Sequence, residues 1–111
     1  MVPVEAKIDV NEFYKLVRED IKSLIGGAGV NAAVIFNNTA EDIEFHVYNY
    51  IDTLYAIPAM KTRIASKWSG TVACSGTQFK VHPRNQAGEQ KVVEPGKAYV
   101  YHGPGKWEQV K

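Results

Sequence analysis

The chain has 111 residues, of which 45% are hydrophobic and 23% are charged, and Lys plus Arg exceed Asp plus Glu by only 13 to 12. This composition excludes a disordered chain, and the length predicts a single domain spanning 1–111. The net charge of +1 argues against a dedicated nucleic-acid binder, because such proteins carry a strong positive field.

The N-terminal segment and the cysteine content bear on where the protein resides. The first ten residues contain no basic stretch followed by an apolar one, so we expect no signal peptide. No apolar run approaches the roughly 20 residues that cross a bilayer, so we expect no transmembrane segment. Cys74 is the sole cysteine, and the lack of a disulfide partner fits a reducing compartment. The sequence therefore predicts cytoplasmic residence, with unconventional export left open.

An amphipathic helix is predicted at about 10–25. Asp9 and Glu12 have the spacing of a capping box. Apolar residues then recur every three or four positions, at Phe13, Val17, Ile21 and Leu24. Gly26-Gly27 is a suitable stop, because glycine readily adopts the left-handed conformation that ends helices. We expect this helix to pack on a sheet; the alternative is a helix that detaches to enter a membrane or a partner's groove.

After residue 30 the hydrophobic period changes from that of a helix to that of strands. In the clearest segment Ile43, Phe45 and Val47 alternate with polar residues and with Tyr48. Turn residues separate further short segments, at about 32–36, 53–57, 61–65, 70–74, 77–82, 90–93, 98–102 and 106–110. The fold class is therefore mainly β. We predict an antiparallel β-sandwich of seven to nine short strands over about 31–110, with a small barrel as the alternative.

The residues that most often carry catalysis or metals show no motif. His46, His82 and His102 are isolated, without the spacing of a structural zinc site. Cys74 alternates in phase with Val72 in an apparent strand, which favours a buried, inert thiol. The sequence thus predicts no metal, no cofactor and no enzymatic activity. A small enzyme that uses one of the histidines with a neighbouring carboxylate remains an alternative.

Aromatic residues are the more informative set. Tyrosines alternate on two segments and tryptophans lie at two turns, which predicts a ligand-binding set of Tyr48, Tyr50, Trp68, Tyr99, Tyr101 and Trp107. Rings on the open side of a sheet or at loop tips suit stacking on sugars or insertion among lipid headgroups. The alternative is that these rings belong to the core, since a sandwich needs large inward residues.

Two basic residues form a second candidate site. Lys61 and Arg63 share a strand face and could hold an anionic headgroup or simply solvate that face.

The order of parts also resembles a known group. An amphipathic N-terminal helix before a tyrosine-rich sandwich, with the Asn37-Asn38-Thr39 turn after the apolar run 33–36, is similar to the actinoporin-like and fungal fruit-body lectins. The resemblance implies a non-enzymatic recognition module for carbohydrate or lipid headgroups. The mixed charge of the helix does not favour pore formation.

The alternative function is a protein-interaction or self-assembly domain. A homo-oligomer fits either function, because multivalency strengthens weak sites.

Overall fold

The computed structural model describes residues 9–25, 32–49, 58–73, 78–84 and 90–110. Within these ranges one helix, α1 (Val10–Ile25), precedes eight strands. These are β1 (Ala32–Asn37), β2 (Ile43–Asn49), β3 (Met60–Ile64), β4 (Ser69–Ala73), β5 (Phe79–Pro83), β6 (Lys91–Val93), β7 (Ala98–Tyr101) and β8 (Trp107–Gln109). The predicted mainly-β sandwich with one N-terminal helix is confirmed. The strand predicted at 53–57 lies outside the described residues.

Helix α1 begins at the predicted cap. The backbone N–H of Glu12 donates to Asp9 Oδ1 at 2.8 Å, which satisfies one of the donors that a helix start leaves without a partner. Asp20 departs from helical geometry, with φ −160° and ψ 76°, and kinks the helix before its last turn. Leu24 beyond the kink is still buried, so the apolar stripe runs through the interruption. The glycines at 26–27, predicted to end the helix, lie outside the described residues.

The strands form two four-stranded sheets. Sheet 1 has the order β4-β1-β7-β8, and sheet 2 has the order β3-β2-β5-β6. The pairings are antiparallel as predicted, except that β1 and β7 run parallel, with Val34 opposite Ala98. These two strands are distant in sequence, so no hairpin turn fixes their relative direction.

The main core lies between the sheets. Ile43, Phe45 and Val47 of β2 are all buried there, which confirms their predicted common face. Ile64 of β3 and Val81 of β5 belong to the same cluster. Burial of large apolar side chains from both sheets provides the main driving force for the sandwich.

A second core lies between α1 and the outer face of sheet 1. Phe13 stacks on Phe36 with ring centroids 5.0 Å apart, and Val17 and Leu24 join Val34 in the same cluster. All six residues of β1 are buried, because one face meets sheet 2 and the other meets the helix. The predicted docking of the helix on a sheet is the arrangement of this structure.

Candidate functional site

The two tyrosines of β7 lie inside the sandwich. Tyr99 is 1% exposed and Tyr101 is 0% exposed, and burial raises the pKa of both phenols. The Tyr99 hydroxyl accepts a hydrogen bond from the backbone N–H of Glu94 at 3.0 Å. For these two residues the structure has the core arrangement that the sequence left as the alternative. Neither ring presents a surface on which a ligand could stack.

The remaining members of the predicted aromatic set do not form one surface. Trp107 packs on Tyr101 and Phe45, with ring centroids 4.8 Å and 6.0 Å away. Trp68 also packs against the main core and is partly buried. Tyr48 lies on the outer side of sheet 2 but is only 7% exposed. The sixth residue, Tyr50, lies outside the described residues, so the prediction for it stays a prediction.

The outer side of sheet 2 has a different character from that of sheet 1. In the described part of the chain no helix or strand lies over it. We call it the open face, and define it by the outward residues Glu44, His46, Tyr48, Lys61, Arg63, Lys80, His82, Arg84 and Val92. It carries four Lys or Arg side chains and two imidazoles against one carboxylate.

Strand register arranges these residues in three rows across the sheet. The rows are Arg63–Glu44–Arg84, Lys61–His46–His82 and Tyr48–Lys80–Val92. Neighbouring strands lie about 4.8 Å apart, so members of a row are close neighbours. The charges of the face therefore act on one another and on anything that lies across it.

The first row is balanced by carboxylates. Glu44 accepts from His46 Nε2 at 3.0 Å and from Arg84 at 3.5 Å, and Arg63 pairs with Asp42 at 2.9 Å. The hydrogen bond from His46, aided by the nearby Arg84 and Lys61, holds the pKa of Glu44 below its usual value. A carboxylate can only accept, so His46 carries its hydrogen on Nε2.

The second row contains a buried polar atom without a hydrogen-bond partner among the described residues. His46 and His82 are directly opposite each other on β2 and β5. His82 Nδ1 is buried and has no hydrogen-bond partner among the described residues. Burial, and then the neighbouring His46, hold the pKa of His82 below its usual value. The row therefore places an unsatisfied imidazole among cations.

The third histidine, His102, belongs to a separate network that includes a residue of α1. His102 Nε2 donates to Glu108 Oε1 at 2.8 Å, and the Tyr14 hydroxyl donates to the same oxygen at 2.6 Å. On its other side, His102 Nδ1 lies 3.1 Å from the Asn38 amide nitrogen, and the Asn38 amide oxygen accepts from Lys67 at 2.7 Å. We call this network the helix latch, because it joins α1 to β8 and to the turn after β1.

The bonds of the helix latch shift two pKa values in opposite directions. Donation to Glu108 raises the pKa of Tyr14 to about 12. Donation from Tyr14, and then from His102, holds the pKa of Glu108 below its usual value. Both nitrogens of His102 are engaged, so this imidazole is a structural member of the latch.

The described residues contain no group of three or more His, Cys, Asp or Glu that could hold a metal ion. No helix among them is long and apolar enough to cross a membrane.

Comparison with known proteins returned no family, no characterised protein and no solved structure that matches this chain. Of the open face, sequence reasoning singled out Tyr48 as a ligand residue and Lys61 with Arg63 as a candidate anion site. It did not connect them with Lys80 or Arg84, because alternation assigns a residue to a strand face without showing which strands are neighbours.

Proposed function

We propose that the protein is a recognition module that binds an acidic carbohydrate on the open face. The observation that carries this proposal is the contrast between the two sheets, of which one is covered by α1 and the other presents a cationic surface. Four Lys or Arg side chains project from this face, and Lys61 is exposed in a row that contains no carboxylate.

The charge distribution supports an anionic ligand. Glu44 is engaged by His46 and Arg84, and it is the one carboxylate among the residues of the three rows. Lys61 is exposed and Lys80 is partly exposed, so both can reach sulfate or carboxylate groups that lie across the sheet. Charge-assisted hydrogen bonds from such donors are stronger than neutral ones.

The polarity of the face favours a carbohydrate over a membrane surface. Among the described residues the exposed large hydrophobic side chain is Val92, at 40%. Insertion among lipid headgroups uses aromatic and apolar side chains that extend beyond the surface. Tyr48 at 7% exposure offers little area for stacking, which also disfavours a single-stranded nucleic acid. A ligand bound by charge and hydrogen bonds, such as an acidic sugar, suits this surface best.

The histidines give a weaker case for catalysis. Two of the three have a carboxylate neighbour, since His46 contacts Glu44 and His102 contacts Glu108. Both nitrogens of His102 are already bonded. The carboxylate beside His46 also pairs with Arg84. It therefore neutralises a cation and is not reserved for orienting the imidazole. These contacts serve to organise charge, which is what recognition of an anion requires.

Calorimetric titration with a sulfated tetrasaccharide tests the proposal. We expect saturable binding that weakens as salt rises, because exposed charges are screened. A Lys61→Glu/Lys80→Glu variant should bind at least about tenfold more weakly. Each substitution removes a cation and adds a carboxylate that repels an anionic ligand.

The matched control reverses two charges on the opposite side of the molecule. Lys15 and Lys22 are exposed on α1, so Lys15→Glu/Lys22→Glu makes the same change in net charge away from the open face. Equal loss in both variants would show that only net charge matters and would contradict the proposal. Binding of anionic vesicles or an oligonucleotide with no binding of the tetrasaccharide would replace the carbohydrate by that ligand. Concentration-dependent association in sedimentation velocity without any ligand would favour self-assembly.

A further inference from the structure

We infer that binding on the open face takes up a proton at His82, so that the affinity for an acidic ligand rises as the solution becomes more acidic. This inference rests on the proposed function and names how that same site is regulated. It is based on the position of His82 in the second row, on its unsatisfied nitrogen and on the charges that surround it.

His82 lies among groups that oppose a positive charge. Across β2 it faces His46, with Lys61 beyond on β3. Along β5 it is flanked by Lys80 and Arg84, two residues away on either side. The other charged or titratable groups of the open face are Glu44, Tyr48 and Arg63, and β6 presents the uncharged Val92. Among the described residues two carboxylates lie in or beside the first row, Glu44, which is held by His46 and Arg84, and Asp42, which pairs with Arg63.

The Nδ1 atom of His82 is buried without a partner among the described residues. Such an atom loses its bonds to water and gains none in return, which is costly. A protonated imidazole would be a donor at both nitrogens, but in the free protein it would place a further positive charge beside Lys80 and Arg84. Burial and His46 accordingly keep the pKa of His82 below its usual value, and the free protein keeps His82 neutral near pH 7.

A bound oxyanion reverses this balance. A sulfate or carboxylate lying over the second and third rows brings a negative charge to rows that contain no carboxylate, and an opposite charge favours the protonated imidazole. Linkage fixes the sign, because a ligand that raises a proton affinity is itself bound more tightly when that proton is present. Affinity should therefore rise as the pH falls through the range in which His82 of the complex takes up its proton.

Calorimetry with the sulfated tetrasaccharide at about pH 5.5 and about pH 7.5 tests the inference. A sulfate ester keeps one charge over this range, whereas a phosphate ester titrates near pH 6, so the ligand contributes no pH dependence through its sulfates. For the natural protein we expect the dissociation constant to fall about threefold to sixfold between pH 7.5 and pH 5.5. A His82→Gln variant should bind with nearly the same affinity at both values.

His102→Gln is the matched control, because it removes an imidazole from the helix latch and leaves the open face intact. It should keep the full pH dependence. The inference is overturned if the natural protein binds equally at both pH values, or if His82→Gln retains the dependence. Absence of binding at both values would overturn the proposed function, and the inference with it.

Nuclear magnetic resonance titration of the histidine ring protons provides a second readout that needs no substitution. The ligand should raise the pKa of His82 by about one unit, which amounts to a tenfold change in affinity once the pH lies well below the pKa of both forms. It should leave the ring-proton shifts of His102 unaffected. A His82 titration that is the same with and without bound tetrasaccharide would contradict proton uptake at this residue.

Discussion

The two outer faces of the sandwich differ in what their strands present and in what covers them. On sheet 1 the outward residues of β1 and β7 are apolar, and α1 lies over them. On sheet 2 the outward residues of β2 and β5 are mainly polar or charged, and no described element lies over them. In the same architecture, α1 buries the apolar outer side of sheet 1, whereas the charged outer side of sheet 2 lies under no described helix or strand.

The strands themselves explain this difference. Strand β1 is apolar up to its last residue, Asn37, and is buried at all six positions, so exposing its outer side would leave Val34 and Phe36 in water. Strand β2 alternates, and its polar positions tolerate solvent. Apolar area left in water costs free energy in proportion to its extent, so a covering helix stabilises sheet 1 far more than it would stabilise sheet 2.

The largest expected effect is on the covered face. Phe13 is 0% exposed and stacks on Phe36, so Phe13→Ala should lower the free energy of unfolding by about 3–5 kcal/mol. Urea denaturation followed by circular dichroism measures the change. Lys61→Ala on the open face is the comparison, and it should leave the urea midpoint nearly unchanged. Equal losses of unfolding free energy in the two variants would contradict the difference between the two faces.

A smaller effect is expected at the helix latch. Tyr14→Phe removes the hydrogen bond to Glu108 and should destabilise the protein by less than about 1 kcal/mol, because solvent competes for this partly exposed group. Thermal denaturation near pH 7 measures the loss. A loss as large as that of Phe13→Ala would mean that the latch, and not apolar packing, holds the helix.

The same variant should change how stability depends on pH. The pKa of Tyr14 is raised to about 12, so its folded form holds a proton that the unfolded chain releases near pH 10. Stability from this group is complete below about pH 10 and is lost as the pH rises toward 12. Tyr14→Phe should remove that part of the alkaline decline, as judged from urea midpoints at about pH 9 and about pH 11. An unchanged decline would contradict the assigned hydrogen bond.

The smallest expected effect concerns His82 in the free protein. Its pKa is lowered in the folded state, so the unfolded chain takes up the proton first. Stability from the neutral imidazole is complete above about pH 6.5 and decreases as the pH falls below that value. His82→Gln should therefore flatten the decline of the urea midpoint between about pH 7 and about pH 5. If the variant declines as steeply as the natural protein, His82 is not held neutral by its surroundings.

Much of the fold could be predicted because its signals are local. The cap at Asp9 and the apolar period of α1 fix the helix, and the alternation in β2 fixes which of its residues face inward. The orientation of β7 could not be obtained this way. Both Tyr99 and Val100 belong to apolar faces, and both faces are buried, so periodicity alone does not show which one meets the other sheet.

The candidate site was the harder part to predict because it depends on strand order. His46 and His82 are 36 positions apart in sequence and become neighbours only through the pairing of β2 with β5. The aromatic pattern suggested Tyr99 and Tyr101 as ligand residues, but both side chains are buried in the core. The charged residues of the open face looked scattered along the chain, since nothing local shows that three strands bring them onto one surface.

The most direct test of the central claim is a map of where the ligand binds. Backbone amide shifts of the isotopically labelled protein should be followed during titration with the sulfated tetrasaccharide at about pH 6. Binding on the open face should give saturable changes concentrated in β2, β3 and β5, with α1 and the helix latch unaffected. Changes concentrated on α1 or β8, or no saturable change at any site, would contradict binding on the open face.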